Sequence, residues 1–211
     1  MSVHNSRMHF GHINPEDSTR ALAASAAQAV VDEGLTMAAA KQRAAEQLGL
    51  RGRIVWPDEA MLDAAVREHI AIFCPDEQAE ALRGLRRLAL RWMVRLAEFS
   101  PYVSGAVWHG TATWHSDVFL QLFCEDPKAA EWALLERRVV FHPGTAKGWL
   151  GSPVPVLTVR ETCPDSGEPV LVHLMVHDRD DVRGALKPDT MGRVPRGDAA
   201  ALQHRMENLG S

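Results

Sequence analysis

The chain reads as an α+β protein. Three observations point to this. The first half carries apolar residues at helical spacing, the second half shifts to short alternating runs, and the two kinds of segment are not interleaved as in a doubly wound sheet. The expected architecture is an N-terminal helical region followed by a small mixed β-sheet with flanking helices. The chain has 211 residues, room for one large domain or two small ones. We expect a flexible lead-in at 1–17, a helical region at 18–75, a mixed α/β region at 76–180, and a basic loop with a terminal helix at 181–211.

The lead-in is polar and carries His4, His9, His12 and Pro15. His9 and His12 have a spacing that suits a metal, with no further ligand nearby in sequence. Asp17 and Ser18 are N-cap residues for a helix reaching Glu33, where Gly34 supplies the stop. A second helix spans Met37–Leu48 and ends at Gly49. Its Ala44–Leu50 stretch has the look of the first helix of a helix-turn-helix. Pro57 delays the next helix beyond the required turn, so an Ala-rich packed helix is the simpler reading. Pro57-Asp58-Glu59 opens a third helix, with proline in the first turn and acids at the positive end of the dipole. Met61, Leu62, Ala65, Val66, Ile70 and Phe73 give its apolar face. Pro75-Asp76-Glu77 repeats the start signal for a long fourth helix to Phe99, with Leu82, Leu85, Leu88, Trp92, Leu96 and Phe99 as the buried stripe.

The period changes at Ser100-Pro101. Tyr102–Trp108 and Asp117–Phe123 read as strands, Pro127–Arg138 as a helix, and Val154–Glu161 and Glu168–His177 as a hairpin around Cys163–Gly167. Asp178–Gly197 is polar and rich in turn residues, and Asp198–Leu209 is a terminal helix. On the last long strand Val170, Val172, Leu174 and Val176 form the core face. His173 and His177 then point to the other face, toward Asp117.

The densest segment is Gly105–Phe123. A Gly-containing turn lets backbone amides approach a phosphate, and an acid at the head of the next strand is placed to hold a cation beside it. Gly105-Ala106, Gly110, and Ser116-Asp117 followed by Val118 resemble the nucleotidyltransferase superfamily, the fold shared with polymerase β. Its pattern is a strand, Gly-Ser, a turn with a further Gly, then Ser-Asp-x-Asp opening the next strand. The resemblance covers roughly residues 76–180. It implies Asp117 as the catalytic, metal-holding acid, with Gly105, Gly110, Thr111 and Ser116 at the nucleotide. It also implies Mg²⁺ or Mn²⁺ where the transfer chemistry is retained. Two positions depart from the pattern: the family's phosphate-binding Ser is Ala106 and its second metal-binding Asp is Phe119. Nucleotidyl transfer of the two-metal kind relies on carboxylates clamping both ions, and a phenyl ring offers none. His115 and His173 beside Asp117 are candidate ligands for a softer metal, since imidazole suits zinc, copper, nickel or iron. The functional expectation is thus a divergent protein of this kind that binds a nucleotide or RNA with degenerate or altered chemistry. The competing class is a noncatalytic regulatory or binding module.

Arg outnumbers Lys 19 to 4 among the basic residues, although the net charge is −4. The fourth helix carries Arg83, Arg87, Arg91 and Arg95 at i, i+4 spacing with Arg86 beside them. This is either a nucleic-acid-binding row or a solvated face. The three cysteines show no CxxC pair. No signal peptide and no membrane span is read at the sequence level, which predicts a cytoplasmic protein with reduced thiols and no membrane partner.

Overall fold

A computed structural model describes residues 15–148, 151–188 and 192–208. The expected lead-in at 1–14, with His9 and His12, lies outside the described residues, as do Trp149 and Asp189. The chain divides into two compact units, Met1–Val66 and Arg67–Ser211. The division falls inside the third helix, earlier than the boundary at residue 75 read from the sequence. The fold is α+β: among the described residues there are eight α-helices and one six-stranded mixed sheet.

In the first unit, α1 (Pro15–Glu33) packs on α2 (Met37–Gln47). Pro15–Asp17, assigned to the lead-in from sequence, form the first turn of α1. Small side chains allow the two helices to approach closely: Ala23, Ala26 and Ala27 of α1 and Ala40, Ala44 and Ala45 of α2 are buried. The Thr36 side chain accepts from Ala39 N at 3.3 Å and caps α2. The third helix, α3 (Glu59–Phe73), is started by Asp58, whose carboxylate accepts from Met61 N at 2.7 Å.

The second unit is built on α4 (Pro75–Arg95), which ends in a 3₁₀ turn at Ala97–Phe99. After it come β1 (Tyr102–Ser104), α5 (Gly105–His109), β2 (Val118–Cys124) and α6 (Ala129–Glu136). Then follow β3 (His142–Lys147), β4 (Pro153–Thr162), β5 (Pro169–Asp178), α7 (Val182–Ala185), β6 (Arg196–Gly197) and α8 (Ala199–Glu207). The strand order is β3-β4-β5-β2-β1-β6, with β2 and β5 parallel and every other pair antiparallel.

Three segments differ from the sequence reading. The apolar run Tyr102–Trp108 is a three-residue strand followed by a helical turn, because Gly105 takes φ +68°, a left-handed conformation that breaks the strand. His142–Lys147 is a strand although every residue in it is exposed. It lies at the sheet edge, where Pro143 removes no needed ladder bond and no alternating apolar pattern is required. The expected polar tail is part of the second unit: β6 pairs with β1 and α8 packs on α4.

Val118, Leu120, Leu122, Val170, Val172, Leu174, Leu157 and Val159 join Leu85, Leu88 and Trp92 of α4 and Leu134 of α6 in one core. Burying each such side chain contributes about 1.5–3 kcal/mol relative to exposure. The opposite face of the central strands carries the polar and aromatic side chains, and it holds the candidate site.

Candidate functional site

Strand register sets the site. His173 on β5 lies opposite Phe119 on β2 and Thr158 on β4, and Phe119 lies opposite Ser104 on β1. With a side-chain period of two, all four share the face turned away from the core. Asp117 immediately precedes β2. Its Oδ2 lies 3.1 Å from His173 Nε2, and His173 Nδ1 lies 3.0 Å from Thr158 Oγ1. The expectation that His173 points toward Asp117 is met, whereas His177, expected to do the same, sits four residues further along β5 and bonds Gln121 instead. The Asp117 side chain keeps 38% of its surface exposed and His173 keeps 18%.

Phe119 stacks on His173, ring centroids 4.7 Å apart at 22°. On its other side it borders Gly105, where an added Cβ would meet Phe119 Cδ2 at 3.7 Å. Apolar carbon therefore stands at position 119, two residues beyond Asp117 on the same face. One strand-turn further along, Gln121 is buried and fully used: its Nε2 donates to Ser104 Oγ at 3.0 Å and its Oε1 lies 2.6 Å from His177 Nε2. His177 is buried too, and burial lowers its pKa below the usual imidazole value. Asp181 acts against this shift and Arg196 adds to it.

These side chains do not fit a two-metal site. Asp117 is the single carboxylate of the row, and both His173 nitrogens already have partners. His115 is exposed and does not join the pair. Among the described residues no group of three or more His, Cys, Asp or Glu side chains is placed to hold a metal ion.

The turn between α5 and β2 also differs from a phosphate cradle. Gly110 N and Thr111 N both donate to Ala106 O, at 2.8 and 3.0 Å. Ser116 N donates to Thr113 O at 2.9 Å, and Thr113 N donates to Ser116 Oγ at 3.0 Å. Thr111 is buried. Amides spent inside the turn are not available to a ligand. Gly110 is needed for a different reason: at φ +84° it ends α5 in the left-handed region.

The carbonyls of α5 and of the turn are bound by side chains of α3, α4 and α8. Arg86 Nε donates to Val107 O at 3.1 Å, Arg205 Nη1 to Trp108 O at 3.1 Å, and Arg67 Nη2 to His109 O at 2.9 Å. Gln78 Nε2 donates to Gly110 O and Ala112 O at 3.1 and 3.0 Å. Sequence spacing gave no sign of this arrangement, because Arg67, Gln78, Arg86 and Arg205 come from three helices.

The expected row of Arg83, Arg87 and Arg91 is divided by its partners. Arg87 Nη2 pairs with Asp165 at 2.7 Å, and Arg91 Nη2 with Glu161 at 3.1 Å. Both acids belong to the β4–β5 hairpin. These half-exposed pairs are worth about 0–1 kcal/mol each, yet they occupy the guanidiniums that a phosphate backbone would need. Arg83 stands apart and lines a cavity with Arg67, Arg86 and Arg205.

Comparison of the chain with protein-family models and with curated proteins finds no match. Among the described residues no helix is long and apolar enough to cross a membrane.

Proposed function

We propose that the second unit is a divergent nucleotidyltransferase-like domain. In this reading it binds a nucleotide, free or at an RNA end, and its transfer chemistry is altered. The observation that carries the reading is Asp117 at the head of β2, bonded to His173 with Phe119 stacked where the family's second acid stands. The element order around it supports the same reading: a strand, a helical turn beginning at Gly105, a further glycine at 110, and Ser116-Asp117 opening the next strand. Asp117 anchors His173 with one carboxylate oxygen and turns the other to a ligand donor, a ribose hydroxyl or a base amine. Phe119 and His173 offer ring faces beside it. Two-metal transfer is not part of the reading, because the clamp needs carboxylates that this row does not contain.

The test is incubation with each nucleoside triphosphate, with and without EDTA, followed by thermal unfolding, alongside a radiolabel-transfer assay with tRNA and Mg²⁺ or Mn²⁺. The expected result is stabilisation by at least one nucleotide that survives EDTA and is lost in Asp117→Ala, without label transfer. No stabilisation by any nucleotide would remove the binding claim. Metal-dependent label transfer abolished by Asp117→Ala would establish an active transferase and overturn the altered chemistry.

A further inference from the structure

The arginines behind the turn enclose a cavity of about 400 Å³ that opens to solvent. Arg67 of α3, Arg83 and Arg86 of α4, and Arg205 of α8 line it, and among the described residues that line it there is no carboxylate. Gathering like charges is unfavourable, and folded proteins normally pair or disperse them. Here the charges act on one another. Burial and Arg205 push the Arg86 pKa down to about 10, and burial and Arg67 lower that of Arg205. Both stay protonated near neutral pH.

The turn carbonyls explain only part of the cluster. Each guanidinium has five N–H donors. Val107 O takes one from Arg86 and Trp108 O takes one from Arg205. Arg86 is only 3% exposed, and its Nη1 is buried with no hydrogen-bond partner among the described residues. Arg205 is held in place by its bond to Trp108 O and by stacking its guanidinium 3.7 Å over the Trp108 ring. Trp108 in turn donates from Nε1 to Val194 O at 2.7 Å. Arg83 is exposed, bonds none of the turn carbonyls, and extends from the helical turn preceding Arg86. The cavity thus combines two fixed cations with one adjustable cation at its rim.

We infer that this cavity is a binding site for a phosphate-bearing small molecule, gripped by Arg83, Arg86 and Arg205. Several convergent guanidiniums match the oxygens of a phosphate or pyrophosphate group, and arginine binds such groups through paired, charge-assisted hydrogen bonds. A bound dianion also relieves the repulsion among the arginines. The volume suits a phosphate ester or a diphosphate. Leu82 and Ala79 supply an apolar wall for the organic part of the ligand. This site lies behind the carbonyls of the turn, whereas Asp117 and His173 lie on the sheet face, so it stands whether or not a nucleotide binds at Asp117.

The test is isothermal titration of the full-length protein with pyrophosphate, with citrate as a non-phosphate trianion and a poly(U) oligonucleotide as further arms. Pyrophosphate is expected to bind saturably at one site. Arg83→Gln is expected to weaken binding about tenfold while leaving thermal unfolding unchanged, because Arg83 holds no part of the fold. Arg86→Met is expected to abolish binding. If that variant misfolds, the Arg83→Gln result decides alone. Saturable pyrophosphate binding with equal affinity in wild type and Arg83→Gln would overturn the inference. So would no pyrophosphate binding, tighter binding of citrate, or oligonucleotide binding without pyrophosphate binding. Loss of pyrophosphate binding in Asp117→Ala with retention in Arg83→Gln would place the anion at the other site and overturn it equally.

Discussion

His177 shows how one residue carries both packing and pH behaviour. It is buried and bonded to Gln121, and burial holds its pKa below that of an exposed imidazole. The unfolded chain therefore takes up a proton that the folded chain resists. The stability that depends on a neutral His177 is complete above the ordinary histidine pKa of about 6.5 and is lost as pH falls below it. Denaturant unfolding between pH 8 and 5 is expected to show wild-type stability falling faster than that of His177→Gln below pH 6.5. Parallel curves would mean that His177 does not drive the acid loss. The Arg87–Asp165 pair makes the opposite point: a double-mutant cycle to alanine is expected to give a coupling of only about 0.2–1 kcal/mol, since both partners contact water. A coupling well above that would mark the hairpin contact as a main support of α4. Residue-level legibility was uneven. That His173 leaves the core face follows from strand alternation alone, whereas its meeting with Asp117 needs the β2–β5 pairing. Asp165 and Glu161, lying 78 and 70 residues from their arginine partners, are placed by the hairpin and leave no local trace.

Among the elements, helices were easiest to read. Three of them have a start signal that is physical as well as statistical: Thr36, Asp58 and Asp198 each accept from the backbone of the first turn. Asp198→Ala is expected to cost about 1 kcal/mol in chemical denaturation. No loss would mean the cap bond is not made. Strands at the sheet edge were hardest. β3 owes its conformation to pairing with β4 rather than to its own His-Pro-Gly-Thr-Ala-Lys sequence, and β6 is two residues held against β1. Gly197 shows why β6 matters. A Cβ there would overlap the six-membered ring of Trp108, itself pinned by Val194 O and Arg205. Gly197→Ala is expected to destabilise by about 1–3 kcal/mol and to lower pyrophosphate affinity by displacing Arg205. Wild-type unfolding in that variant would show that Trp108 has room to move.

For the molecule as a whole, the sequence conveyed the α+β class and the order of the main elements, because hydrophobic period reports which face is buried. It did not convey which strands pair. The parallel β2–β5 contact joins segments some fifty residues apart, and it alone brings Asp117, Phe119 and His173 into one row. The glycine turn looked from its residues like a phosphate cradle. In the folded chain its amides close on Ala106 and Thr113, and its carbonyls face the arginines. In the proposed function Asp117 serves His173 rather than a metal pair. Mn²⁺ titration followed by water proton relaxation, in wild type and Asp117→Ala, tests this most directly. The same binding curve is predicted for both proteins. Mn²⁺ sites present in wild type and lost in Asp117→Ala would contradict it.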